Sequence, residues 1–285
     1  MKSNTLAILI LAYCILVACT RTSPNAQLVQ ADSLMQKFPD SALRFLQKIR
    51  PEELNSLEDR AYHALLLTEV KDKNFIQQTE DSQIRIAVQY YDSIKDIPMQ
   101  AKSYYYLGCI WRDKDKHPEA LKEFFKAITY SKKANDNKLT GYIYNNIANI
   151  YLSQRLHEQA DSIYQITEKL AIQEKDSNLW ADVLSQRGMI DINRGKKYYD
   201  EAEQKILTAF KISCHIAQKS MIAKTAYSLS LLYGRMNMGE KAVKFAKLNI
   251  INQDNPNVAY RDFLILGEAY YKVRRNRPSR RRFKN

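Results

Sequence analysis

The segment that comes nearest to catalytic chemistry is His157-Glu158-Gln159-Ala160-Asp161. A zinc-hydrolase helix needs two histidines on one face, four residues apart, with a glutamate after the first to activate water. Here position 161 is aspartate, and Ala160 belongs to an internal repeat. His117-Pro118-Glu119-Ala120 occupies the same place one repeat earlier, so both segments read as helix starts. His63 and His215 stand on predicted helices without a plausible partner and are expected at the surface or half buried. Cys109 and Cys214 have no His or second Cys at ligand spacing, which makes a metal site unexpected; they read as small, mostly buried helix residues. No G-x-x-x-x-G-K-[ST], G-x-G-x-x-G or G-x-S-x-G occurs, and 7 glycines leave little with which to build a phosphate cradle. Asp200, Glu201 and Glu203 cluster at a helix start, where carboxylates suit the helix dipole. No catalytic residue, metal ligand set or cofactor site is expected, and the chain reads as not an enzyme.

What must be positioned is therefore a surface, and the elements that carry it repeat. Gly108 and Trp111 lead to Ala120, Phe124 and Ala127, and Ala148 and Tyr151 lead to Ala160, Tyr164 and Thr167 at the same offsets. Gly188 opens a third unit, with Asp191 in the aromatic position and about two extra residues near Lys197 that shift its partners to Ala202, Ile206 and Ala209. Ser230 and Tyr233 open a fourth, continuing to Ala242 and Ala246, and Gly267 and Tyr270 begin a fifth. Upstream, residues 39–49 read as a helix with Pro39 in its first turn and 28–38 as its partner. Residues 60–71 and 83–94 form another pair, with Ile84, Ala87, Val88 and Tyr91 on one helical face. No strand alternation appears.

The small-then-aromatic offsets resemble the tetratricopeptide pattern, in which small residues sit where two helices cross. Its usual period is about 34 residues; the surplus toward 40 implies longer helices or longer joints, such as 134–138. The resemblance implies an all-α, right-handed superhelical solenoid of antiparallel helix pairs, each closing the apolar face of the one before. It also implies a groove lined by the first helix of each pair, at positions six and three before the crossing residue and one, four and five after it. These are Lys102, Tyr105, Cys109, Arg112 and Asp113; then Tyr142, Asn145, Asn149, Leu152 and Ser153; then Lys224, Tyr227, Leu231 and Arg235. Tyr, Asn and Arg together suit peptide recognition through rigid rings, amide pairing and carboxylate pairing. The carboxylate clamp of chaperone-binding relatives is not reproduced, because Asp182 and Gln186 stand where Lys and Arg would be needed.

The N-terminus reads as an address. Lys2 precedes an apolar run, Leu6–Ala18, shorter than the roughly 20 residues a spanning helix needs. It ends in Leu16-Val17-Ala18-Cys19, which resembles the lipobox of bacterial lipoproteins and implies cleavage before Cys19 and lipid on that cysteine; a plain membrane anchor is the alternative. Cys14 would be lost with the leader. Residues 39–43 (PDSAL), 60–74 (RAYHALLLTEVKDKN), 104–108 (YYYLG) and 144–151 (YNNIANIY) resemble the tetratricopeptide lipoproteins of Bacteroides-like bacteria. Thr20 follows Cys19, with no acidic cluster after it, where an inner-membrane lipoprotein usually carries a retention aspartate; that resemblance implies an outer-membrane anchor facing the periplasm.

The formal charge of +13 belongs largely to the end of the chain. Eight basic residues stand between Lys272 and Lys284 with no acid among them, so the rest carries only +5. This argues against nucleic acid as a partner. The segment after Val273 reads as a flexible tail, the remnant of a truncated or frame-slipped closing helix, or a polybasic arm for anionic lipid. If the closing helix was lost, apolar surface is expected to be exposed around Leu264, Leu266 and Tyr270.

The expected organisation is a signal peptide at 1–18, a lipidated tether at 19–26, degenerate helical repeats at 27–97, regular repeats at 98–273 and a basic tail at 274–285. The expected function is a non-catalytic, membrane-anchored scaffold binding a protein or peptide. A peptide-responsive sensor or adaptor half and a glycan-handling lipoprotein are the alternatives. The last would want exposed tryptophan platforms, yet only Trp111 and Trp180 exist, and Trp111 is expected in the core.

Overall fold

The computed structural model describes residues 25–253 and 259–276, so the leader, Cys19 and the tail beyond Asn276 lie outside the described residues. Among the described residues there are thirteen α-helices and no strand. No described helix is long and apolar enough to cross a membrane. The chain separates into two compact units that part between Lys116 and His117, nineteen residues beyond the sequence boundary at 97/98.

The first unit holds α1 (Ala26–Leu34), α2 (Pro39–Leu46), α3 (Leu57–Lys73), α4 (Ser82–Ile94) and α5 (Ile97–Asp113), with a 3-10 turn at Pro51–Glu53. The described fold reaches into the expected tether: the Asn25 side chain caps α1 and its N–H donates to Asp59 Oδ1 at 3.1 Å. Leu28, Ala31, Met35, Ala42, Leu46, Leu54, Leu66 and Val70 form its buried core. His63, expected at the surface or half buried, is buried in this core, where its Nε2 lies 3.1 Å from the Leu46 carbonyl. The Leu46 carbonyl at the C-terminus of α2 also accepts from the Ile49 N–H at 3.2 Å, and its second lone pair takes the ring N–H.

The second unit holds α6 (His117–Lys133), α7 (Asn137–Ser153), α8 (His157–Gln173), α9 (Ser177–Arg194), α10 (Tyr199–His215), α11 (Lys219–Arg235), α12 (Gly239–Ile251) and α13 (Ala259–Asn276). The last runs three residues into the expected tail. The surplus over a shorter repeat lies in the helices: seven of the thirteen span 17 residues, with three-residue joints between several of them. Eight of the joints turn on one left-handed residue each, at Phe75, Lys95, Asp115, Asn135, Arg155, Lys175, Ala217 and Asn237. Bonds such as Asp136 N–H to Ser131 O and Asp176 N–H to Ala171 O close the helix ends as Schellman turns. Asp96, Asp136 and Asp176, forty residues apart, then cap α5, α7 and α9 by accepting from the backbone N–H three residues on. The two extra residues near Lys197 are taken up by an eighteen-residue α9, Gly195 at φ 110° and a 3-10 turn, Lys196–Tyr198.

The repeat offsets mark real crossings. Ala148, Ala160, Tyr164, Ala202, Ile206, Ala209, Ala242 and Thr167 are fully buried. A Cβ at Gly188 would stand 2.3 Å from Ile206 Cγ1, so only glycine lets α9 and α10 approach this closely. Filling a space like that of Tyr164 with a large side chain contributes about 1.5–3 kcal/mol. In the second unit the first helices of successive pairs touch one another (α7 with α9, α9 with α11, α11 with α13), as well as their sequence neighbours. The second helices make no comparable contact among themselves, which puts α7, α9 and α11 on the inside of the curve. At the far end of this unit Ile251, Leu264, Tyr270 and Tyr271 are exposed.

Candidate binding groove

The face predicted on α5 is largely self-paired. Lys102 Nζ approaches Glu69 Oε2 at 3.9 Å, and Arg112 forks onto Asp72 and Asp113 at 3.0 and 2.7 Å. Tyr105 and Cys109, expected on the open face, are buried, because α3 lies against this flank of α5. Burial, with Asp72 adding to it, pushes the Cys109 thiol far above its ordinary range, so it is inert as a nucleophile. A hollow of about 260 Å³ beside Arg112 is lined by Asp72, Phe75, Ile76, Gln77 and Asp113.

On the second unit the inner helices bring their polar residues together in cross-links. Tyr142 donates its hydroxyl to Asp176 Oδ2 at 2.9 Å, tying the start of α7 to the cap of α9. Asn145, expected in the open groove, is buried on the flank of α7 that α9 covers, and its Nδ2 donates to Asp182 Oδ2 at 3.0 Å. Lys224 reaches across from α11 to the other oxygen of Asp182. Tyr227 and Leu231 are half-buried on α11, and Arg235 Nη1 donates to the Ile192 carbonyl at 3.1 Å.

Asn149 remains half-open, and its orientation is fixed from behind. Its Oδ1 accepts from the hydroxyl of fully buried Tyr164 at 2.6 Å and from Gln186 Nε2 at 2.9 Å. That occupies the Asn149 carbonyl with two donors and leaves the Asn149 amide N–H₂ and the Gln186 carbonyl, a donor and an acceptor on adjacent helices, to meet a ligand. Below them lies a hollow of about 520 Å³ lined by Leu152, Ser153, Arg155, His157, Gln186, Met189 and Asn193. Its walls combine apolar stems with amides, a composition suited to a side chain flanked by peptide backbone.

In the sequence, Asp182 and Gln186 stand out only as departures from a clamp. The structure makes them the partners of Asn145 and Asn149, each one repeat less three residues away, at a separation of 37. That shared offset was the available signal. A partly buried ionic network centred on buried Asp161 and Asp191 was also missed. Arg187 pairs with Asp161 at 2.9 Å and with Glu168, while Asp191 takes Lys205 and, at 3.2 Å, Arg194. Burial acts upward on the Asp161 carboxyl, but Arg187, Gln165 and Arg194 together hold it below its usual range.

Two further sequence expectations change. Cys214 is exposed rather than buried, since it sits on the outer flank of α10. Trp111 is half-buried under Lys114, 4.7 Å from its ring centre, and Trp180 donates to Glu168 at 3.4 Å. Neither is a bare aromatic platform.

No protein-family model and no curated protein matches the chain. Solved structures do match in fold. The apo form of RapI superposes with a TM-score of 0.60 at 14% identity, covering 87% of this chain and 98% of its own. BtubC from P. vanneervenii gives 0.57 at 15%, covering 92% and 97%. A signal-transduction ATPase with a tetratricopeptide repeat sensor, from Pyrococcus horikoshii, gives 0.64 at 18%; the match covers 86% of this chain and 38% of that one. At such identities the likeness is one of fold, and the fold is an all-α solenoid of the tetratricopeptide type.

Proposed function

We propose that this chain is a non-catalytic repeat scaffold, anchored to a membrane by lipid on Cys19, whose inner helices hold a protein or peptide partner. The observation that carries the binding reading is the Asn149–Gln186 pair. Tyr164 holds it in one orientation, and it presents a donor and an acceptor above a hollow of about 520 Å³. A peptide backbone carries the complementary pair of groups at every residue. Side chains must do this work, because a stack of helices has no strand edge to offer.

The leader supports the anchor: an apolar run of signal-peptide length ends on Ala18-Cys19, and lipoproteins so addressed face the envelope. We place this one on the outer membrane, facing the periplasm. A peptide-responsive sensor half is the second reading, favoured by the likeness to an ATPase whose tetratricopeptide portion is described as a sensor.

Cross-linking in intact cells and detergent pull-down test the groove, comparing the native chain with Asn149→Ala/Gln186→Ala. A polypeptide lost only with the double variant, whose circular dichroism stays helical, establishes the groove and names the partner. Identical captures from both would sink it. Metabolic labelling with an alkynyl fatty acid, lost in Cys19→Ser, tests the anchor separately.

A further inference from the structure

Three inner helices of the second unit meet at one carboxylate. Asp182 of α9 accepts from Asn145 of α7 on Oδ2 and receives the Lys224 ammonium of α11 on Oδ1. The three members are held with unequal firmness. Asn145 is 8% exposed, the Asp182 side chain 16%, and the Lys224 side chain 41%. Lys224 alone of the three can swing into solvent without uncovering a buried group.

The second observation is an oxygen without a donor. Asn145 Oδ1 is buried and accepts no hydrogen bond. Rotating the amide cannot cure this, because it would turn the carbonyl onto the Asp182 carboxylate in place of the N–H₂. The bond to Asp182 thus fixes a buried acceptor beside a carboxylate whose present cation is its least-held neighbour. Both features ask for the same chemistry, a positively charged N–H donor. An incoming carboxylate would have to evict Asp182, which is held from two sides, and would then face the Asn145 carbonyl.

We propose that Asp182 and Asn145 Oδ1 form the seat for an ammonium or guanidinium group of the bound peptide, and that Lys224 occupies the Asp182 end of this seat, leaving Asn145 Oδ1 unmet, until the peptide arrives. This rests on the groove reading above and narrows it to a basic peptide segment. A lysine side chain, an arginine side chain and a free N-terminus share the chemistry, and the test separates them. Because Lys224 competes for the seat, the free protein is only partly competent, and its apparent affinity falls by that fraction.

The test is a selection of phage-displayed random 12-residue peptides on the whole chain. The best binder is then synthesised with its N-terminus free or acetylated and with each Lys or Arg replaced by norleucine. Lys and Arg enrichment is expected, with norleucine at one position, or acetylation, weakening binding by at least about tenfold. Asp182→Asn should erase that difference. Lys224→Met, a change at an exposed side chain that leaves the fold intact, should tighten binding by about threefold to tenfold. Enrichment of acidic or uncharged peptides, or a Lys224→Met variant that binds the basic peptide more weakly, overturns the cation seat and leaves the groove standing. A selection that enriches nothing above bare support overturns both readings.

Discussion

Asp191 of α9 is buried where the neighbouring repeats carry Tyr151 and Tyr233, and its carboxylate receives the ammonium of Lys205 from α10. A position that elsewhere closes a helix crossing with a ring is here closed by an ion pair, backed by Arg194 at 3.2 Å. Removing one partner of such a pair strands the other, whereas exchanging both for apolar groups is often neutral. Lys205→Met should therefore lower stability by about 2–3 kcal/mol. Asp191→Leu/Lys205→Met should recover most of it. Urea denaturation of the three proteins decides: a double variant no more stable than the single would refute the ion-pair account.

The Tyr164 hydroxyl acts at one remove from any ligand. It touches Asn149 Oδ1 and is itself fully buried. Tyr164→Phe should cost about 1 kcal/mol of stability, the ordinary worth of one hydrogen bond. Partner capture should fall further than that loss explains, because the Asn149 amide is then held by Gln186 alone. Captured partner measured at matched folded fractions checks this, and equal capture would dismiss Tyr164 as a positioning residue.

The left-handed joints predict a gain. Ala217 sits at φ 54° and Asn135 at φ 55°, where a Cβ is costly and glycine is not, and asparagine tolerates the region better than alanine does. Ala217→Gly should stabilise by about 0.5–1 kcal/mol after the added unfolded-state freedom of glycine. Asn135→Gly should be close to neutral. Thermal melts of the two variants check the contrast, which a matching pair of shifts would remove.

His63 gives the first unit a pH dependence. Its ring is buried, and burial holds its pKa below the ordinary histidine value of about 6.5. The folded state thus takes up a proton less readily than the unfolded state. Stability is full above about pH 6.5 and declines as the pH falls from there toward the depressed folded value. Hydrogen exchange in α3 should accelerate on acidification through that window. In His63→Gln, whose amide can still donate to the Leu46 carbonyl, the acceleration should be gone; the same acid profile in both proteins would assign it elsewhere.

The helical crossings were legible in the sequence because a small residue and its aromatic partner are forced by geometry. Gly188 against Ile206 and Ala148 beside Tyr164 recur at offsets that only paired helices explain. The joints were less legible, since Lys175, Arg155 and Phe75 occupy left-handed positions that usually announce themselves with glycine. The inner face of the helix pairs was legible as a face and not as a set of free side chains. Offsets along one helix place Tyr105 and Asn145 on the inner side, but their burial depends on the neighbouring inner helix. Asp182 and Gln186 gain their meaning only once α7 and α9 lie side by side. His63 looked peripheral because its partner is a backbone carbonyl seventeen residues away, which no side-chain pattern reveals.

The turn at Lys196–Tyr198 absorbs surplus chain without disturbing the helices on either side, and Gly195 beside it has nothing within 4 Å of where a Cβ would stand. One residue added inside a 17-residue helix would rotate every later side chain by roughly a quarter-turn or more. The same residue added between α9 and α10 is taken up in a loop. This joint is therefore the natural splice point of the molecule, where a fluorophore, an affinity handle or a whole inserted domain could be carried without shifting the helical register on either side.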